Sequence, residues 1–373
     1  MSPRVRRGAR RAVTIVDVAR LAAVSPATVT RVLQGRSSVR PETRRRVEEA
    51  IEALDYRPDH IARALVTRSS ATVGMLLPSS GDSFWGEVAA GIEERASEAG
   101  FSVLFANAHG SAARELAMIE LFLAKRVDGI IIAGAAGDPG AWFGRGALDV
   151  PVVLVNWDAA FHPQDVEAAQ VLPPGGMAAT IAAEAARRGG FSHIAFDDVG
   201  ASRMLVDHLV GLGHERIAFV GGIPIRPSLL RLLGFRQALE EAGLRPGPVV
   251  ACEETLEAGR DAAGALLGRP GAPTAIVAYS DLVAIGVIRG AHALGVRVPE
   301  DVSVVGYDDI EVAAFVEPPL TTVRQPKREM GRRAMEWILR GLSGGRVPDH
   351  ETLPGQLVVR SSTGPTRART GVR

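Results

Sequence analysis

Apolar residues recur at Ile15, Val18, Ala19 and Ala22, the spacing that lays one apolar stripe along a helix of about two turns. Thr14 stands before them as an N-cap, with Asp17 three residues on. Ser25 offers a second cap, and Pro26 suits a first helical turn because its missing N–H would have no helical partner. Val29, Val32 and Leu33 then form an apolar face that leaves Pro26, Ala27, Thr30 and Arg31 pointing outward. A third helix begins near Pro41 and Glu42 and buries Val47, Ala50, Ile51 and Leu54, while Arg44, Arg45 and Arg46 stay in water. Three short helices around one core are the helix-turn-helix plan, with a three-helix protein-binding domain as the alternative.

From Ala71 the pattern changes to short apolar runs that alternate with amphipathic helical stretches. Strands are predicted at Thr72 to Leu77, Ser102 to Ala106, Gly129 to Ala133, Val152 to Val155, His193 to Phe196, Arg216 to Val220, Ala275 to Ala278, Val302 to Tyr307 and Gln356 to Val359. Helices lie between them, for example at Phe84 to Gly100 and Asp281 to Leu294. This alternation predicts an α/β body with parallel sheets, whose ligand sits beyond the carboxyl ends of the strands.

Charge separates the two parts. The chain of 373 residues has a net charge of +1, yet residues 1 to 70 hold 15 Arg against 7 acidic residues. A basic module that meets a polyanion, joined to an acidic body that does not, explains that asymmetry. Cys252 is the only cysteine, so there is no disulfide framework and no thiolate metal site, and a reducing cytosol is the expected location. The Arg-rich start, Met1 to Arg11, is not followed by the apolar run of a signal peptide. No segment approaches the roughly 20 apolar residues of a membrane-spanning helix.

In a helix-turn-helix the second helix enters the major groove, where side chains near its N-terminus meet base edges. Arg31 is the candidate for a direct base contact, since a guanidinium pairs bidentately with guanine; a phosphate-bound or solvated arginine is the alternative. Residues 24 to 35, Val-Ser-Pro-Ala-Thr-Val-Thr-Arg-Val-Leu-Gln-Gly, and 56 to 65, Tyr-Arg-Pro-Asp-His-Ile-Ala-Arg-Ala-Leu, resemble the LacI/GalR family of bacterial transcription repressors. The resemblance implies DNA contacts from Thr14, Ser25, Pro26, Ala27, Thr28, Thr30, Arg31, Arg36, Tyr56, His60, Ala62, Arg63 and Leu65. It also implies a hinge helix after Tyr56 that folds on operator DNA, with Leu65 wedged into the minor groove. A two-turn helix is marginal alone in water, and an apolar wedge unstacks a base step, so the physics agrees. Interdomain packing is the alternative for Leu65.

The resemblance continues through residues 211 to 222, 231 to 235, 298 to 309 and 318 to 326, the last reading Pro-Pro-Leu-Thr-Thr-Val-Arg-Gln-Pro. It implies a body like a periplasmic sugar-binding protein, two Rossmann-like subdomains with parallel sheets joined by three crossovers, in a homodimer. The expected organisation is a basic tail (1–12), the helix-turn-helix domain (13–58), hinge helix and linker (59–70), effector-binding and dimerisation domain (71–364) and tail (365–373). Within the body, 72–196 and 324–348 are assigned to the first subdomain, and 197–323 and 349–364 to the second. Carried over by position, effector contacts fall on Phe84, Trp85, Asn156, Arg231, Ser280 and Asp308. An arginine and a carboxylate grip hydroxyls while an aromatic face covers a sugar ring. Packing of Phe84 and Trp85 onto the sheet, a structural ion pair for Arg231 and a turn cap for Asp308 are the alternatives.

Three departures bear on the ligand. The fourth strand ends in Asn156-Trp157 where the family has Asp-Arg, removing a charge. Glu254 stands where many relatives have an aromatic. About 25 extra residues follow Asn156, within 158 to 190, including an Ala-rich stretch from Met177 to Arg188. This insertion either supplies Trp157 or Phe161 to the pocket or elaborates the surface. The expected function is therefore a homodimeric, DNA-binding transcriptional repressor whose affinity for a pseudo-palindromic operator is controlled by a small molecule, with a sugar first. A nucleobase- or nucleoside-responsive regulator, a corepressor-dependent one and a solute-binding protein are the alternatives. An enzyme is not expected, since no nucleophile elbow, zinc-protease motif or P-loop is present. No metal or cofactor is expected. The C-terminal Gly364 to Arg373 lacks the heptad repeat of a tetramerisation helix.

Overall fold

The computed structural model describes residues 13–33, 39–56, 69–78, 83–134, 149–156, 192–221 and 226–366, and the chain divides into two compact units, Met1–Ser70 and Ala71–Arg373. The first contains α1 (Ile15–Leu21), α2 (Pro26–Leu33) and α3 (Pro41–Ala53). Val18, Ala19, Ala22, Val29, Val32, Val47 and Ala50 form its core, with Ile51 and Leu54 packed at the margin. Leu33, expected inside, is exposed, because Val29 and Val32 already fill the face that α2 turns inward. Asp17 accepts from both the backbone N–H (3.0 Å) and the hydroxyl (2.7 Å) of Thr14, closing the start of α1. Ser25 Oγ accepts the Thr28 amide at 3.2 Å and caps α2, as its position predicts.

The second unit is built on two six-stranded sheets. The first comprises β1 (Thr72–Leu77), β2 (Ser102–Asn107), β3 (Gly129–Ala133), β4 (Val152–Val155), β5 (Ser192–Phe196) and a late strand at His350–Leu353. The second comprises β6 (Ile217–Val220), β7 (Val249–Val250), β8 (Ala275–Ala278), β9 (Ser303–Asp308), β10 (Thr321–Arg324) and β12 (Gln356–Val358), which makes His350–Leu353 β11. The strand orders are β11-β5-β4-β3-β1-β2 and β12-β10-β9-β8-β6-β7, so both lobes share one winding. All neighbours are parallel except β12, which runs antiparallel to β10 and departs from the expected all-parallel arrangement. In each lobe the order reverses at one point, between β1 and β3 and between β6 and β8. Such switch points open a crevice at the carboxyl ends of the strands.

Strands β3, β6, β8 and β9 are buried along their whole length, as sheets covered on both faces require. In the first lobe the alternation is plain. Val73, Met75, Ile131 and Val153 face one layer of core, while Leu76, Ile130, Ile132 and Leu154 face Phe122 and Ile119 of α5 (Ala112–Ala124) on the other side. The helices that shape the crevice are α4 (Ser83–Glu98), α6 (Asp198–Gly211), α7 (Arg226–Glu241), α8 (Leu256–Leu267), α9 (Asp281–Ala293) and α10 (Lys327–Leu342). α10 lies against α4 at a pair of glycines. A methyl group on Gly91 would meet the Arg328 carbonyl, and one on Gly331 the Val88 carbonyl, so only glycine permits this approach.

Three elements correct the sequence reading. β11 belongs to the first sheet, so residues 350–353, assigned to the second subdomain, complete the first one, and the last crossing between lobes falls between β11 and β12. β10 was not predicted, because its Thr321 and Thr322 are polar yet fully buried; Thr322 Oγ1 donates to Asp281 Oδ1 at 2.6 Å, and Ser362 Oγ accepts the Thr321 amide at 2.8 Å. β7, only two residues long, offers no periodicity.

Candidate functional site

The head presents the outer face of α2. Pro26, Ala27 and Arg31 are exposed and Thr30 is half-buried, with its hydroxyl donating back to the Pro26 carbonyl at 3.1 Å. The exposed guanidinium of Arg31 on this face has the reach that major-groove reading needs. Thr14 stands at the start of α1, and at the start of α2 the Ser25 and Thr28 hydroxyls bond each other at 3.0 Å. Tyr56, expected at the DNA, is 9% exposed and packs in the core of the head, since the chain turns through Asp55 at φ 44° and carries the ring inward. Arg36, His60, Ala62, Arg63 and Leu65 lie outside the described residues.

In the body, predicted effector residues stand at the carboxyl ends of the strands. Phe84 and Trp85 open α4 after β1, form an edge-to-face pair with centroids 4.8 Å apart, and are buried. Trp85 closes over Gly134 at the end of β3, which turns at φ 53°. Asn156 ends β4 in the left-handed region, φ 53°, and is half-buried. Ser280 caps α9, its Oγ accepting the Val283 amide at 3.4 Å. Glu254 is exposed just before Thr255, the N-cap of α8. Trp157, Phe161 and the insertion lie outside the described residues.

Arg231 and Asp308 are brought together, and the structure adds a residue the sequence reading did not single out. Arg231 Nε donates to Asp198 Oδ1 at 2.6 Å, its Nη2 stands 3.5 Å from Asp308 Oδ1, and its Nη1 donates to the Tyr279 carbonyl. The guanidinium lies over the Tyr307 ring at 4.4 Å. Ser202 Oγ donates to the Arg231 carbonyl at 2.6 Å and bonds the Tyr307 hydroxyl. All of these groups are buried. Burial pushes the Asp198 carboxyl up to about 6 against the opposing pull of Arg231. For Arg231, burial works against the charge, and the carboxylates of Asp198 and Asp308 outweigh it and keep the guanidinium protonated.

Asp308 and Asp309 both occupy positive φ, 103° and 50°, where residues other than glycine are strained. Four side chains hold them there. Gln325 Nε2 donates to Asp308 Oδ1 at 2.6 Å, and Arg324 and Arg360 each reach an Asp309 carboxylate oxygen at 2.6 Å. Lys327 Nζ meets the Asp308 carbonyl at 2.7 Å, the Asp309 carbonyl at 3.1 Å and Glu87 Oε1 at 2.8 Å. Glu87 lies on α4 of the first lobe, so a buried ammonium ties that lobe to the strained turn after β9. The only sequence sign of Lys327 was a lysine directly after Gln325-Pro326. Burial lifts the Cys252 thiol to about 11, which keeps it an unreactive thiol at neutral pH. Among the described residues no cluster of three His, Cys, Asp or Glu could hold a metal, and no helix is long and apolar enough to cross a membrane.

A helix-turn-helix head joined to two similarly wound lobes defines a DNA-binding transcriptional regulator with a small-molecule-binding body. Residues 14–59 match the model of bacterial regulatory proteins of the lacI family, and residues 206–363 match the periplasmic binding protein-like domain. The HTH-type transcriptional regulator DegA of Bacillus subtilis (strain 168) is 32% identical over 359 residues, spanning 94% of this chain and 98% of DegA. A crystal structure of the lac repressor dimer bound to operator and the anti-inducer ONPF matches with a TM-score of 0.79 and 29% identity, covering 95% of this chain and 100% of that one. A complex of the transcriptional regulator CelR with cellobiose matches with a TM-score of 0.63 and 30% identity, covering 94% and 99%. The chain belongs to the lacI family of bacterial regulatory proteins.

Proposed function

We propose that this protein is a homodimeric, cytoplasmic repressor whose operator affinity is set by a sugar bound at the carboxyl ends of the strands in its body, and that it catalyses no reaction. The observation that carries the effector reading is the convergence of Arg231, Asp308 and Ser280 at those strand ends in the second lobe, with Phe84, Trp85 and Asn156 at the corresponding ends in the first. Charged hydrogen-bonding groups beside aromatic rings are what a polyhydroxylated ring recruits. The CelR structure holds cellobiose, which supports a sugar effector here. Arg31, with Thr14, Ser25, Pro26, Ala27, Thr28 and Thr30 around it, forms the DNA-reading surface; the segment with His60, Ala62, Arg63 and Leu65 supplies the minor-groove clamp.

The effector reading is tested by thermal-shift screening of sugars, sugar phosphates and nucleobases, since a ligand of the native state raises its apparent stability. A hit is expected to lose its effect in Arg231→Ala. A hit that stabilises Arg231→Ala as much as the wild type would move the site elsewhere.

Apolar side chains that the monomer leaves in water support the dimer. Phe315 is 80% exposed, near the exposed Val312, and on the first lobe the edge strand β2 exposes Leu104 and Phe105. A two-fold axis would bury the same patch on both copies. Phe315→Arg is expected to shift sedimentation from dimer toward monomer at micromolar concentration while leaving the circular dichroism spectrum unchanged. An unshifted dimer would show that Phe315 lies outside the interface.

A further inference from the structure

We propose that Asp198 selects the chemical class of the effector: by holding Arg231 within its own lobe, it makes the site one for neutral, hydroxyl-bearing ligands and refuses anionic ones such as sugar phosphates. The inference rests on the effector reading given above. Arg231 is the cation expected to grip the ligand, yet each of its three nitrogens already faces an acceptor: Asp198 at 2.6 Å, Asp308 at 3.5 Å and the Tyr279 carbonyl. Its face is covered by Tyr307. Two carboxylates thus hold one guanidinium, and its donors are occupied before any ligand arrives. A phosphate would have to displace Asp198 from a buried, charge-assisted hydrogen bond and would then stand beside that carboxylate and Asp308. A hydroxyl needs no such exchange, because it donates to a carboxylate oxygen and displaces nothing.

Two further observations point the same way. The Tyr279 hydroxyl is buried and has no hydrogen-bond partner among the described residues, and a hydroxyl on a ligand satisfies either its donor or its acceptor side. Asp198 is itself fixed in the first turn of α6, where Asp197 caps the helix by accepting the Gly200 amide at 2.8 Å, so the carboxylate does not swing away with its backbone.

The test is thermal unfolding of the full chain at pH 8 in sodium phosphate against sodium chloride of equal ionic strength. Wild type, Asp198→Asn, Asp198→Glu and each of these in an Arg231→Ala background are compared, which subtracts phosphate bound to the Arg-rich head. Wild type and Asp198→Glu are expected to show no Arg231-dependent gain. Asp198→Asn is expected to gain about 3 °C, the effect of a ligand at about ten times its Kd, and to lose it with Arg231. If Asp198→Asn does not fold, Asp198→Ser carries the same comparison. An Arg231-dependent gain in the wild type would overturn the selection by Asp198 while leaving the effector site in place; no gain in either neutral variant would overturn it as well. The effector reading fails on a different result, an effector whose action on operator binding survives Arg231→Ala.

Discussion

Lys327→Met is expected to destabilise the body by about 3 kcal/mol in urea unfolding. The substitution keeps the length and apolar stem of the side chain and removes only its charge and three donors. Lys327 is 4% exposed, and its ammonium meets three acceptors from two elements, the Asp308 and Asp309 carbonyls and Glu87. Leaving a buried acceptor unsatisfied costs about 1–3 kcal/mol, and here two carbonyls lose a partner at once. Glu87 is half exposed and returns to water, so its share is small. Relief from desolvating the ammonium offsets part of the loss, which keeps the expectation near the lower end of the sum. The strained turn at Asp308 and Asp309 also loses the bond that fixes its carbonyls, so effector affinity is expected to fall with stability. A loss below about 0.5 kcal/mol would mean that water replaces the ammonium without cost and that the tie between lobes is incidental.

Arg31→Ala is expected to weaken binding to a selected operator by about 10- to 100-fold, corresponding to about 1–3 kcal/mol for a bidentate base contact. The competing role, a phosphate contact, predicts a different pattern. Loss of a base contact relaxes preference at one position and leaves the salt dependence nearly unchanged. Loss of a phosphate contact weakens all sequences alike and lowers the slope of log K against log salt by about one. Titration of matched and single-substituted duplexes at several salt concentrations separates the two. Equal affinity of wild type and Arg31→Ala at every salt concentration would show that Arg31 contacts neither base nor phosphate.

Much of the fold was legible because apolar periodicity and burial coincide. β1, β3, β4 and β8 lie where alternation or continuous apolar runs place them, and α1 to α3 follow from two caps, a proline at the start of α2 and one proline that opens α3. Periodicity failed where burial is polar. Thr321 and Thr322 are inside because Asp281 and Ser362 meet them, and β11 carries His350 and Glu351 because it is an edge strand against β5. The site was half legible for a related reason. Arg231, Ser280 and Asp308 could be placed from local motifs, but Asp198 is 33 residues from Arg231 and Lys327 is 19 from Asp308, and no local pattern pairs them. The consequence is chemical: a cleft that seemed to have lost a charge at Asn156 carries a carboxylate that occupies its arginine.

Ligand binding in the body is expected to change how tightly the head holds DNA. The most direct measurement is fluorescence anisotropy of the full chain on a duplex selected from a random pool, titrated with and without a neutral sugar that raises the thermal stability of the wild type. Operator affinity is expected to change by about 5- to 150-fold, the range of a coupling of about 1–3 kcal/mol, and not to change in Arg231→Ala. Identical affinity with and without that sugar at saturation would contradict it.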